Sequence, residues 1–224
     1  MTTSTVSPQL HNHELESSIQ PKIESMIDDL VASLPDPEHL TGEERRGMIA
    51  RYTAVLEGNF IYWMAATNLA VQAEDARPHL LENLLEEVRD AHPVMLRRFA
   101  IAAHAFPTDL DALAVDEDLT KVRRFLGRLS GVQSLATMAF FEGFIQRFMG
   151  YLADLAIAQG STDMEYTDVH GVCDIAHTQG LFSALAAEME VNPLDPGVDL
   201  YEGVYLLRSL IQTIVFGQAA KLPA

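Results

Sequence analysis

The chain has 224 residues, enough for one well-buried core, and a single domain is the default at that length. A net charge of −17 repels phosphate backbones and anionic lipid, which argues against nucleic-acid and membrane-surface roles and favours solubility. Apolar residues make up 48% of the chain, yet no run reaches the roughly 18 to 20 that a membrane span needs.

Residues 1–20 are polar, without the basic start and apolar stretch of a signal peptide, and are expected to form a flexible tail. With Cys173 as the single cysteine, no internal disulfide can form, and a cytoplasmic location is expected. From Pro21 onward (21–224) one helical domain is expected. Ile23, Met26, Ile27, Leu30 and Leu34 recur at helical spacing until Pro35 and Pro37 stop the pattern. Thr41 and Glu44 have the spacing of a capping box, opening a helix that is expected to reach about Glu74. Pro78 suits a first helical turn. Leu80, Leu81, Leu84, Leu85 and Val88 continue it, and Pro93 marks a break before a piece through Leu96, Phe99 and His104. Asp109 to Asp118 reads as a connector. Helices follow over about Leu119–Leu129, Val132–Gln159, Thr167–Glu190 and Asp199–Gln218, with turn residues at 192–197. Strand-like alternation has no useful length anywhere. The fold class is therefore all-α, with about seven or eight helices and no repeats.

The local pattern with most chemistry in it is His170-Gly-Val-Cys-Asp174-Ile-Ala-His177. At about 100° per residue, Asp174 lies about 40° from His170, and His177 about 20° to its other side. All three side chains leave one face, in a helix whose neighbours Val172, Ile175, Ala176, Leu181, Phe182 and Leu185 are apolar. Inward-facing imidazole and carboxylate groups are costly unless satisfied, either by a hydrogen-bonded polar patch or by a divalent metal such as iron. Glu142 and Glu57 sit in equally apolar stretches, each followed by a glycine that lets a helix or ligand approach. Each is either a hydrogen-bonded core acid or a ligand. His92, before Pro93, is either a helix-start histidine or a third imidazole.

Glu57, His92, Glu142, His170, Asp174 and His177 together supply three carboxylates and three imidazoles. Two ferrous ions would leave one positive charge over, which Glu82, Glu86 or Glu87 could cancel. The ferritin-like arrangement of two Glu-x-x-His pairs is absent; the other Asp-x-x-His, Asp36 and His39, lies in a proline-rich connector.

The order Glu57, His92, Glu142, then His-x3-Asp-x2-His on a late helix resembles the heme-oxygenase-like di-iron oxidases and oxygenases. Glu82-Asn-Leu-Leu-Glu-Glu87 followed by His92-Pro-Val-Met-Leu-Arg-Arg-Phe99 is similar to that family too, and the resemblance covers roughly Arg45 to Gln218. It implies a heme-oxygenase-like bundle, two Fe(2+) ions per chain, O2 as cosubstrate and a peroxo intermediate. Glu82 matches best the extra ligand that some members carry. The resemblance implies an enzyme but leaves the reaction open among N-oxygenation, C–C scission and desaturation. The expected substrate is a small nitrogen-containing metabolite oxidised at nitrogen, with C–C cleavage or desaturation of an amino or fatty acid as the alternative.

Three other readings share this sequence. Cys173 could be the nucleophile of the thiamin-cleaving branch of the fold, but at about 300° from His170 it points partly aside. A cofactorless oxidase and a metal-binding protein without turnover are the other two. Arg208 on the last helix is a candidate for holding a substrate carboxylate, and Phe141 and Trp63 are candidates for shaping the pocket. An external electron donor and a homodimer are the expected partners, and nucleic acid and membrane are not.

Overall fold

The computed structural model describes the backbone of residues 8–217 and the side chains of residues 18–217. Among these, nine α-helices follow one another with no strand. Helix α1 spans Pro8–Ala32 and a single 3-10 turn spans Pro37–His39. Helix α2 spans Gly42–Leu56, α3 Asn59–Ala70, α4 Arg77–Arg89 and α5 His92–Ala102. Helix α6 spans Asp109–Leu126, α7 Gly131–Ala158, α8 Glu165–Val191 and α9 Glu202–Phe216. No helix of the described residues is long and apolar enough to cross a membrane.

Helix α7 is the axis of the bundle. Every side chain from Val132 to Ile145 on it is buried, and α8 packs along it while α1, α2, α3 and α9 close the remaining sides. That burial on all faces explains why its sequence is apolar all round instead of amphipathic. Trp63, Phe140, Phe141, Phe144 and Phe148 fill the interior around it.

Four boundaries differ from the sequence-based expectation. Helix α1 begins at Pro8, with Pro21 inside it; an interior proline removes one backbone hydrogen bond but does not have to end a helix whose face is packed. The expected tail overlaps this helix from Pro8, and residues 1–7 lie outside the described residues. The long helix expected from Thr41 to Glu74 opens on the Thr41–Glu44 capping box as anticipated. It then breaks at Glu57 and Gly58, where Gly58 takes a left-handed φ of 84°, a conformation glycine adopts without steric cost. The acidic stretch from Asp109 is helix, not connector. Thr108 and Asp111 form a second capping box, and carboxylates in a first turn meet the positive end of the helix dipole. Finally, Ala91, in a left-handed conformation, separates α4 from α5 and places His92 at the first position of α5.

Candidate metal centre

Helices α4, α5, α7 and α8 bring Glu86, Glu87, His92, Glu142, His170, Asp174 and His177 together. On α8, His170 and Asp174 are buried and the His177 ring is almost wholly so, which is the inward face expected from their spacing. The same helix exposes Val172 to 72% and Ile175 to 49%. These two lie about 200° and 140° from His170, so they belong to the solvent side and not to the apolar surround expected of them.

Two groups form. In the first, Glu87 of α4, His92 of α5 and His170 of α8 each present a ligand atom within 4.8 Å of the others. His92 Nδ1 donates to Glu87 Oε1 at 2.7 Å, and His170 Nε2 lies 3.6 Å from the same oxygen. The two imidazoles meet edge-on, with ring centroids 4.5 Å apart. His170 Nδ1 donates to the Tyr166 carbonyl at 2.9 Å, which fixes the tautomer and leaves Nε2 with its lone pair facing the group.

The second group contains Asp174 and His177 of α8 with Cys173 beside them. Glu142 of α7 and Glu86 of α4 approach the same histidine: His177 Nδ1 is 3.6 Å from Asp174 Oδ1 and 3.9 Å from Glu142 Oε2, and its Nε2 donates to Glu86 Oε2 at 2.9 Å. Asn83 Nδ2 donates to Glu142 Oε1 at 2.6 Å and fixes that carboxylate from behind.

The electrostatics are those of a site short of positive charge. Burial, reinforced by the charge of Asp174, pushes the Glu142 carboxyl well above the usual carboxylate range. Burial opposes protonation of His177, but Asp174, Glu142 and Glu86 outweigh it and push that imidazole up to about 9. His170 is likewise raised, burial being outweighed by Glu87 and Asp174. Glu87 stays below the ordinary range despite its burial because the adjoining His170 and His92 imidazoles favour its charged form. Besides Asn83 Oδ1, two buried atoms of this cluster have no hydrogen-bond partner, Asp174 Oδ2 and His177 Nδ1. Unsatisfied buried polar atoms are expensive. A divalent cation would satisfy both atoms directly, and mixed imidazole and carboxylate donors suit iron.

A small cavity, about 20 Å³, lies over this cluster. Its polar end is Glu87, His92, His170, Glu142 and Asp174; Tyr166 and apolar side chains form the remainder. Phe141 is part of the wall and is backed by Trp63, whose ring meets it edge-on at 5.3 Å.

Of the residues singled out from sequence, His92, Glu142, His170, Asp174 and His177 stand together. Glu57 does not join them. With α2 ended at Leu56, its half-buried carboxylate pairs with the Arg97 guanidinium of α5 outside the cavity. Glu82 is exposed, in a surface hollow with His79, Glu86 and His177; Glu86 and Glu87 are the carboxylates that α4 brings to the histidines. Arg208 is not among the residues lining the cavity. Cys173 is half-buried and donates to Asp174 Oδ1 at 3.2 Å, and burial together with that carboxylate raises its thiol, which disfavours a nucleophilic thiolate. Sequence reasoning missed Tyr166, one turn before His170, where the i, i+4 spacing would have placed it on the same face.

A family model described as an iron-containing redox enzyme matches residues 49–206. None of the curated proteins compared with the chain matches it.

Proposed function

Because the chain belongs to the family of iron-containing redox enzymes with a heme-oxygenase-like fold, we propose that it is a non-heme di-iron oxygenase acting on a small nitrogen-containing metabolite. Glu87, His92 and His170 would hold one iron, and Glu86, Glu142, Asp174 and His177 the other. The observation that carries this proposal is the pair of orphaned buried atoms, Asp174 Oδ2 and His177 Nδ1, beside the Glu142 carboxylate. Two ferrous ions there would supply electrons for O2 reduction and the Lewis acidity to hold the charge that develops.

The protein's own contribution is positioning and exclusion of water. The Tyr166 carbonyl holds His170 in one tautomer, and Asn83 holds Glu142 in one rotamer. These outer contacts orient ligands and typically matter 10–100-fold, to order of magnitude, in affinity or activity. Phe141, braced by Trp63 and Phe60, keeps the cavity wall apolar. A small molecule seated between that wall and the histidines would be shielded from bulk water. An external electron donor would return the site to the ferrous state after turnover.

Incubation of iron-loaded protein with amine and fatty-acid panels under labelled O2 tests the proposal. Label on nitrogen supports it. A shortened carbon skeleton or an alkene without any N–O product favours the C–C cleavage alternative, and iron binding without O2 consumption points to a binding protein.

A further inference from the structure

The polar cluster has two sides, one apolar and one lined by donors. The cavity over Glu87, His92 and His170 offers about 20 Å³, room for about one water. The hydrocarbon part of its lining is formed by Leu56, Phe60, Ile61, Leu96 and Ile145, whose side chains offer nothing to replace water shed by a cation. A divalent ion crossing that side would lose hydration without compensation, which is heavily penalised.

A larger hollow, of about 200 Å³, lies between α4 and α8 on the other side of His177. His79, Glu82 and Glu86 line it from α4, and Cys173 and His177 from α8, with no lysine or arginine among its lining residues. Gly180 lets His79 lie against α8, because a Cβ there would come within 3.1 Å of His79 Nδ1. Glu82 is exposed, while His79 and Glu86 are half-buried.

His177 belongs to both spaces. Its side chain is only 7% exposed, and its Nε2 is bonded to Glu86 Oε2, on the wall of the hollow, at 2.9 Å. Its Nδ1 has no hydrogen-bond partner and lies 3.6 Å from Asp174 Oδ1 and 3.9 Å from Glu142 Oε2. Cys173 is a second link, lining the hollow and donating to Asp174 Oδ1 at 3.2 Å. Imidazole and carboxylate donors therefore lead from exposed Glu82 inward to unpaired, buried Asp174 and His177.

Resting on the two-metal proposal above, we infer that this hollow is the entry port for a divalent cation. His79 and Glu82 take the ion from solvent, and Glu86 and His177 pass it to the position beside Asp174 and Glu142. Glu82 and His79 thus govern the rate of loading and stand outside the resident ligand set. Carboxylates lining a cleft without a competing cation raise the local concentration of a cation and its capture rate. Waters that the ion sheds in the hollow are replaced by protein donors, so the cost of dehydration is divided among several steps.

The probe is Co(2+), mixed anaerobically with the metal-free full chain in a stopped-flow instrument. The visible absorption of bound Co(2+) reads uptake, and excess EDTA added to loaded protein reads release. A port residue lowers the barrier in both directions. The double variant Glu82→Gln with His79→Gln should therefore slow uptake and release alike, by about fivefold or more, with affinity and final stoichiometry near those of the parent. Loss of a resident ligand would instead speed release and weaken affinity. The two single variants serve the same purpose if the double variant does not fold. Added salt should slow uptake by the parent more than by Glu82→Gln, because capture is electrostatic. Ile61→Ala, which opens the apolar side, should leave both rates unchanged. The port is overturned by double-variant rates equal to the parent's, by faster release with weakened affinity, or by Ile61→Ala speeding uptake. A parent that takes up no Co(2+) overturns the two-metal proposal and the port together, whereas a chain that loads fully at rates indifferent to Glu82 and His79 overturns only the port.

Discussion

The two halves of α8 both bury acids, and they treat them in opposite ways. Near its C-terminal end Glu188 is fully buried, yet Oε2 accepts from the backbone N–H groups of Gln72 and Ala73, each at 2.8 Å, and Oε1 accepts from Asn192 at 3.1 Å. That carboxylate ties the loop after α3 to α8. About four turns toward the N-terminus, Asp174 and the Glu142 carboxylate of α7 approach the same imidazole, and Asp174 Oδ2 and His177 Nδ1 have no partner. Glu188 is satisfied by the fold alone. The Asp174 region leaves two polar atoms unpaired, which the proposed cation would satisfy, and that difference is the one expected between a structural buried charge and a metal ligand.

The contrast gives opposite signs for two substitutions. Glu188→Ala leaves the buried Ala73 N–H without an acceptor and should destabilise the protein by about 2–3 kcal/mol. At this chain length that is a fall in Tm of roughly 5–10 °C, measurable by calorimetry. Glu142→Gln keeps the acceptor that Asn83 needs and removes a charge crowded by Asp174. The metal-free variant should gain about 1–2 kcal/mol at pH 8 while its iron affinity drops. A loss of stability in metal-free Glu142→Gln would place Glu142 in the same class as Glu188 and erase the contrast.

A smaller effect is expected with pH. The His177 imidazole is raised in the folded protein from 6.5 to about 9 by Asp174, Glu142 and Glu86, against the opposing effect of burial. A raised histidine contributes stability that is fully present below pH 6.5 and is lost as pH climbs through about 9. Metal-free protein should therefore show Tm falling across that window, and His177→Asn should flatten the slope. Iron affinity should move the other way and rise with pH, because binding must displace the same proton. A metal-free Tm that rises between pH 6.5 and 9 would contradict the proposed crowding of carboxylates.

Sequence periodicity read α8 well because three polar residues at i, i+4 and i+7 share one face whatever the neighbouring helices do. The resemblance over the late helix and the His92 segment pointed to the family that the match over residues 49–206 shows. Periodicity served α4 less well. Leu81, Leu85 and Val88 form an apolar stripe at helical spacing, yet they are 43%, 62% and 60% exposed, while Leu80, Asn83 and Glu87 are the buried face. With two candidate stripes, only the packing of α4 on α8 decides which glutamate turns inward, so Glu82 could not be told from Glu86 and Glu87. Glu57 shows a different limit. Its apolar neighbours do line the cavity through Leu56, Phe60 and Ile61, but Gly58 breaks the helix and Arg97, remote in sequence, captures the carboxylate. Acidic residues 109–118 read as a connector, but the Thr108–Asp111 capping box makes them the start of a helix.

The most direct test of the di-iron proposal is the iron content per chain after anaerobic loading and desalting, for the parent and for variants on either side of Glu142. Two irons are expected for the parent. His92→Ala should retain about one iron, held by Glu86, Glu142, Asp174 and His177, and His177→Ala should retain about one, held by Glu87, His92 and His170. A parent that binds no iron, or variants that bind as much as the parent, would contradict the proposal that the carboxylates and imidazoles of α4, α5, α7 and α8 form a two-metal centre.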